Sequence, residues 1–145
     1  MMHSSKESGR PVRVLHVVHN LNYGGMERVM ADLIAGLDRR RFEVMVLVLG
    51  FVGRFGADIE RQGVEIVRAT PMGRFSLLRP EALAADIRRL APEVVHLHSG
   101  VWFKAARAAR LAQVPWVVFT EHGRKHPDPW YARTLDRFSA SMTVT

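Results

Sequence analysis

The chain has 145 residues, lacks cysteine, and carries 21 lysine and arginine residues against 14 aspartate and glutamate residues, a formal net charge of +7. The absence of cysteine excludes disulfides and thiolate–zinc sites, and no apolar stretch approaches the roughly 20 residues that span a bilayer. The first residues contain no apolar segment, so they are not a secretion signal. These features favour a cytoplasmic protein whose basic surface either binds anionic partners or simply keeps the protein soluble.

Apolar strands and amphipathic helices alternate along the chain. Residues 12–19 are mostly apolar and β-branched, which is typical of a buried parallel strand. Residues 26–37 place apolar side chains at offsets of three and four, which predicts a helix. The same criteria predict further strands at 42–49, 64–68, 93–98, 116–120 and from 141, and further helices at 55–61, 81–90, 101–112 and around 130–138.

This alternation predicts the fold class, which is α/β. Right-handed crossovers would build a Rossmann-like, doubly wound parallel sheet with the strand order 3-2-1-4-5-6. We expect residues 1–11 to be a disordered leader and residues 12–145 to form one domain. Because the chain stops inside an apparent strand, we also expect further sequence to follow it.

Ligands of doubly wound sheets bind beyond the carboxyl ends of the strands, and polar and glycine residues concentrate at that edge of this chain. They follow the first, fourth and fifth predicted strands. We expect His122 to be the catalytic residue. The residues that we expect to bind substrate or phosphate are Asn22, Tyr23, Gly24, Gly25, Ser99, Gly100, Glu121, Arg124 and Lys125.

The glycine pair Gly24 and Gly25 begins the first predicted helix. Two glycines at a helix N-terminus let a phosphate oxygen approach the backbone N–H groups, whereas a tight strand–helix turn could also require glycine. The pair is not the G-x-G-x-x-G fingerprint, and no acidic residue ends the second strand. This pattern argues against binding of a nicotinamide cofactor.

His122 follows a Thr-Glu pair at the end of the fifth strand. A histidine there can donate to a sugar hydroxyl or a phosphate, or take up a proton, and it could instead cap the next turn. Glu121 fits a loop anchor better than a base. The basic pair Arg124 and Lys125 could stabilise an anionic leaving group without a metal.

The histidines of the fourth predicted strand are interpreted as structural. His96 and His98 point to one side of the fourth strand and are expected to stack, with His96 in the core. A metal site from His98, His122 and His126 is disfavoured because no helical His pair or D-x-D motif accompanies it.

One predicted helix also carries a basic stripe beside two aromatic residues. This stripe could meet an anionic membrane surface, but an ordinary solvated helix face is the favoured explanation. It consists of Lys104, Arg107 and Arg110, beside Trp102 and Phe103. The arginines are scattered over several helices, which disfavours nucleic-acid binding.

Three segments in order resemble family 4 glycosyltransferases. They are RVLHVVHNLNYGGMERV from Arg13, PEVVHLHSG from Pro92 and VPWVVFTEHG from Val114. They are distributed from residue 13 to residue 123, over most of the chain, and their ordered set is more specific than any one of them. The segment that contains Glu121 and His122 resembles the bacterial branch that makes surface polysaccharides or glycolipids.

The resemblance implies a GT-B fold, in which two Rossmann-like domains face each other across a cleft. It implies transfer of a sugar from a nucleotide-diphosphate donor to a glycan or lipid-linked acceptor, with retention of configuration and no bound metal. The N-terminal domain would chiefly bind the acceptor, Gly24 and Gly25 would lie against the donor diphosphate, and His122 would approach the transferred sugar. The enzyme would be cytoplasmic, at most peripheral on the membrane.

The chain departs from the family pattern in one respect. The family's donor-binding signature, two glutamates eight positions apart on the C-terminal domain, does not occur in these residues. We therefore expect this chain to be the N-terminal domain alone, inactive without a donor-binding partner domain. The alternatives are a non-catalytic module that binds a ligand or an anionic membrane, and a sugar-nucleotide epimerase of the same architecture.

Overall fold

A computed structural model describes residues 9–73, 76, 79–98, 101–122 and 140. Strands and helices alternate along this part of the chain. The strands are β1 (Val12–Val18), β2 (Phe42–Val48), β3 (Glu65–Arg68), β4 (Val94–His98) and β5 (Trp116–Thr120); the helices are α1 (Gly25–Gly36), α2 (Phe55–Arg61), α3 (Glu81–Leu90) and α4 (Trp102–Leu111). Each agrees with its predicted counterpart to within one residue at either end. The helix predicted around 130–138 and the strand predicted from 141 lie outside the described residues.

The five strands form one parallel sheet in the order β3-β2-β1-β4-β5. Central strand β1 pairs with β2 on one side and β4 on the other, with Val14 opposite Val44 and Val94. The order confirms the Rossmann-like prediction through the fifth strand. The chain leaves β1 in one direction toward β2 and returns on the other side as β4, so the switch point lies between the carboxyl ends of β1 and β4.

Helices cover both faces of the sheet because each strand buries side chains on alternate sides. One core cluster packs α3 and α4 on residues such as Leu15, Leu47 and Leu97. The other packs α1 and α2 on residues such as Val18 and Val46. This two-sided burial explains why the strands are almost continuously apolar.

The basic stripe predicted on α4 is partly engaged in packing. The Trp102 ring stacks on Phe119 with centroids 3.8 Å apart, and the Arg107 guanidinium lies 5.8 Å from the Phe103 ring centroid. Lys104 and Arg107 are half-buried, and Arg110 is exposed. Among the described residues, no helix has both the length and the apolar character needed to cross a membrane.

The predicted leader includes residues that contact the domain. Arg10 forms an ion pair with Glu93 at 3.0 Å, so the described part of the chain engages the sheet's amino-terminal edge before β1 begins. Residues 1–8 lie outside the described residues.

Candidate functional site

The β1–α1 loop is held in place by the loop that follows β2. The Gly50 N–H donates to the His19 carbonyl at 2.7 Å, and the Leu21 N–H donates to the Phe51 carbonyl at 3.2 Å. The Phe51 N–H donates in turn to the Asn20 side-chain oxygen at 2.9 Å. Leu21 is buried beneath these contacts. The loop that leads to the glycine pair is therefore fixed by backbone pairing rather than left free.

Two glycines make this close packing possible. A Cβ on Gly50 would lie 2.9 Å from the His19 carbonyl oxygen, and one on Gly53 would lie 2.6 Å from the Leu21 carbonyl oxygen. Both oxygens belong to backbone and cannot swing away. The packing role of Gly50 was not predicted; the available signal was a glycine directly after a strand that pairs with β1.

Gly24 and Gly25 differ from that pair because the backbone around them does not require glycine. Gly24 has an extended φ of −161°, and a Cβ there would meet only the tip of the Glu27 side chain, 2.5 Å from Oε2. A Cβ on Gly25 would have nothing within 4 Å. A tight strand–helix turn therefore does not explain the glycine pair, because neither position lacks the space for a Cβ beside backbone atoms. The two glycines leave the N-terminus of α1 exposed. The first N–H groups of this helix have no partner within the helix.

The neighbouring loop residues lie at the same edge of the sheet. Tyr23 is 67% exposed, its hydroxyl donates to Asp58 Oδ2 at 3.4 Å, and its ring meets the edge of Phe55 at 5.5 Å. Asn22 is exposed, and its side-chain oxygen borders Gly53. Tyr23 therefore joins the loop to α2 while it keeps most of its surface open to solvent.

A chain of three hydrogen-bonded histidines crosses the switch point. Nδ1 of His16, on β1, lies 3.0 Å from Nε2 of His98, the last residue of β4. His98 Nδ1 in turn lies 2.9 Å from Nε2 of His122, the second residue after β5. His16 and His98 are each only 1% exposed, whereas His122 is half-buried at the rim.

Strand register explains this convergence. His16 pairs directly with His96 across β1 and β4, and residues two apart on β4 share a face. The predicted stacking of His96 and His98 is confirmed, with ring centroids 4.4 Å apart. His96 also contacts the Thr120 hydroxyl, with Nε2 and Oγ1 2.7 Å apart. His16 was not among the predicted site residues, because nothing in an apolar strand distinguishes a functional histidine from a core residue.

Burial keeps these histidines neutral near pH 7. Desolvation, followed by repulsion from His96 and from Arg39, lowers the pKa of His16 to about 3. Desolvation together with the neighbouring histidines lowers the pKa of His98 to about 2. Desolvation also lowers the pKa of His96, with a smaller contribution from His122. Each ring in this environment therefore has one N–H donor and one lone pair.

The same histidine cluster also has the spacing of a possible metal site. Within the described residues, possible ligand atoms of His16, His96 and His98 lie within 4.8 Å of one another. However, both nitrogens of His98 already take part in hydrogen bonds, so a metal bond there would replace one of them. In the disfavoured alternative, His98 and His122 do meet, while His126 lies outside the described residues. Metal independence stays a prediction.

The remaining predicted site residues are only partly described. Glu121 follows β5 directly and is exposed. Ser99, Gly100, Arg124 and Lys125 lie outside the described residues. Because all five strands are parallel, the loop with Gly24 and the loop with His122 follow the same edge of the sheet.

A doubly wound parallel sheet with an open helix N-terminus after β1 and a polar switch point defines a Rossmann-like domain. The family model described as Glycosyltransferase Family 4 matches residues 23–144. The chain therefore belongs to Glycosyltransferase Family 4, which confirms the resemblance drawn from its three segments.

Comparison with solved structures supports the same fold. The crystal structure of Anabaena Alr3699/HepE in complex with UDP and glucose superposes with a TM-score of 0.63 at 20% sequence identity. The match covers 90% of this chain and 35% of the Anabaena chain, so this chain spans about a third of that protein's length. A search of curated proteins found no match. The Rossmann-like half of a GT-B fold is thereby confirmed.

Proposed function

We propose that this chain is the acceptor-side domain of a retaining glycosyltransferase. The complete enzyme would move a sugar from a nucleotide-diphosphate donor to a glycan or lipid-linked acceptor. The observation that carries the proposal is the open N-terminus of α1, where Gly24 and Gly25 are glycine without steric need. Family membership and the fold shared with a protein solved with UDP and glucose support the nucleotide-sugar donor.

The chemistry needs a stabiliser for negative charge. When the glycosidic bond to the donor breaks, charge develops on the departing diphosphate. Backbone N–H groups at the start of α1 are preorganised donors for that charge, and loss of one such donor typically costs on the order of 3 kcal/mol of transition-state stabilisation. Arg124 and Lys125 would add positive charge to the same end of the sheet. This is how the reaction would proceed without a bound metal.

His122 would contact the transferred sugar from the opposite side of the switch point. Its ring is held by His98, which fixes it at the rim of the sheet. The acceptor would lie above the same edge, and a facing domain would close the cleft and exclude water. Without that domain these interactions are screened by solvent, so residues 1–145 alone should turn over no substrate.

The glycine pair provides the most direct test. In the complete enzyme, Gly25→Ala should weaken binding of the nucleoside diphosphate by about tenfold or more, since a methyl group would stand where a phosphate oxygen approaches. Gly36→Ala at the other end of α1 is the matched control, because a Cβ there also has nothing within 4 Å. Calorimetric titration with UDP and GDP measures both variants. Equal affinities for the two variants would contradict the phosphate role.

A transfer assay tests the reaction itself. The complete enzyme should move sugar from at least one nucleotide sugar to an acceptor, NMR of the product should show the anomeric configuration of the donor, and EDTA should not reduce the rate. No transfer from a full panel of donors and acceptors would refute the proposal. Release of nucleoside diphosphate with no sugar on an acceptor would favour the epimerase alternative.

A further inference from the structure

When all three rings are neutral, the histidine chain can carry its protons in only two arrangements. Each neutral imidazole donates through one nitrogen and accepts through the other. His98 uses both of its nitrogens, one toward His16 and one toward His122. If His98 donates to His122 then it must accept from His16, and if it accepts from His122 then it must donate to His16. The tautomers of the three rings are therefore coupled.

The buried end of the chain decides between the two arrangements. His16 Nε2 is buried and has no hydrogen-bond partner among the described residues. In one arrangement this atom is an unpaired N–H, and in the other it is an unpaired lone pair. Orphaned buried N–H groups are rarer in proteins than under-satisfied acceptors. The favoured arrangement therefore places the proton of His16 on Nδ1, from which it donates to His98.

We infer that His98 and His16 are positioning residues that hold His122 in its Nδ1–H tautomer. His98 Nδ1–H donates to His122 Nε2, which then has no lone pair left for the reaction. This inference rests on the proposed function, because it assigns what His122 offers to the sugar. His122 acts as a hydrogen-bond donor through Nδ1–H to a sugar hydroxyl or a phosphate oxygen, and it is not a general base.

Histidine tautomers are observable without any enzyme assay. Long-range ¹H–¹⁵N NMR spectra of this chain, labelled with ¹⁵N-histidine at pH 7, distinguish protonated from unprotonated ring nitrogens. We expect His122 to show a protonated Nδ1 and an unprotonated Nε2, and His98 to show the same pattern. A protonated Nε2 on His122 in the unaltered chain would overturn the inference, whatever the variants do.

Two substitutions separate the hydrogen bond from the space that His98 fills. His98→Leu removes both contacts, and His122 should then lose its fixed Nδ1–H tautomer. In His98→Asn the amide nitrogen is bonded to Cγ as Nδ1 is, so it can still donate to His122 and should preserve the tautomer. Backbone amide spectra verify that each variant is folded. An unchanged His122 tautomer in folded His98→Leu contradicts the inference.

A bound metal is the competing explanation of the cluster, and the same samples test it. Elemental analysis of the chain purified without chelator should find no stoichiometric zinc, and EDTA should leave the histidine spectrum unchanged. Zinc at one ion per chain, with histidine signals that shift on EDTA treatment, would overturn the hydrogen-bonded arrangement.

Activity of the complete enzyme provides a second readout. His98→Leu should lower kcat by about tenfold, the scale of one lost hydrogen bond, and His98→Asn should restore most of it. If no nucleotide sugar supports transfer in the unaltered enzyme, the proposed function fails while the tautomer result stands. If transfer occurs and His98→Leu matches the unaltered enzyme, the positioning role fails alone.

Discussion

At the scale of single residues, glycines in this protein serve two separate purposes. Gly50 and Gly53 allow one loop backbone to lie against another, since a Cβ on either would press on a carbonyl oxygen. Gly24 and Gly25 have no such neighbour, apart from the flexible tip of Glu27. The first two are explained by packing, whereas we propose that the second two leave room for a ligand.

This difference predicts that alanine substitutions at the two kinds of site affect stability unequally. Gly50→Ala should lower the free energy of unfolding by about 1–3 kcal/mol, the usual cost of forcing an extra methyl group into a packed site. Gly25→Ala should change it by less than about 1 kcal/mol, because space is open and alanine favours the helix. Urea denaturation followed by circular dichroism measures both variants. Equal losses in the two would contradict the assignment.

At the scale of secondary structure elements, the end of α3 stores a small strain. Ala91 caps this helix in the left-handed region, with φ 46° and ψ 52°, and its N–H donates to the carbonyls of Ile87 and Arg88. Glycine adopts this conformation without the Cβ clash that alanine suffers. The helix is thus closed by a residue that fits the position poorly.

Replacement of this cap should stabilise the protein. Ala91→Gly should raise the free energy of unfolding by about 1 kcal/mol, because it relieves the left-handed strain. Ala85→Gly, at an exposed position inside the same helix, should lower it by about 1 kcal/mol. Thermal unfolding of the two variants beside the parent chain checks the opposite signs. A destabilised Ala91→Gly variant would show that strain at this cap is not significant.

At the scale of the whole molecule, the buried histidines connect stability to pH. The pKa of His16 is lowered to about 3 and that of His98 to about 2, against about 6.5 for a histidine in the unfolded chain. At a pH between the pKa of the folded state and that of the unfolded state, the unfolded chain binds more protons than the folded chain. The free energy of unfolding must therefore fall as the pH is lowered below about 7.

The size of this pH effect follows from the same linkage. Between pH 7 and pH 5, each of the two histidines should cost about 2 kcal/mol of stability. His98→Leu removes one of them, so the variant should lose less stability over this pH range than the parent chain does. Urea denaturation at several pH values measures how the free energy of unfolding changes with pH in the variant and in the parent chain. A stability that does not change between pH 7 and pH 5 would show that these rings become protonated in the folded state.

Much of the fold follows from local pattern. Periodicity of apolar residues predicted every strand and helix through β5, because two-sided burial makes strands continuously apolar and helices repeat every three to four residues. The alternation of strand and helix then restricted the topology to a doubly wound sheet. The glycine pair and His122 could be proposed as site residues since each lies in a loop that follows the carboxyl end of a strand.

The sequence by itself therefore determined the fold class, the strand order through β5, the family, and which loops face the ligand edge. Only the tertiary structure decided that Gly50 is a packing glycine and that His16, in mid-strand, reaches His122 through His98. The physical reason is distance along the chain. Periodicity reports what each residue does relative to its own element. The loop contacts and the histidine chain instead join residues 24 to 82 positions apart, which the folded sheet brings together.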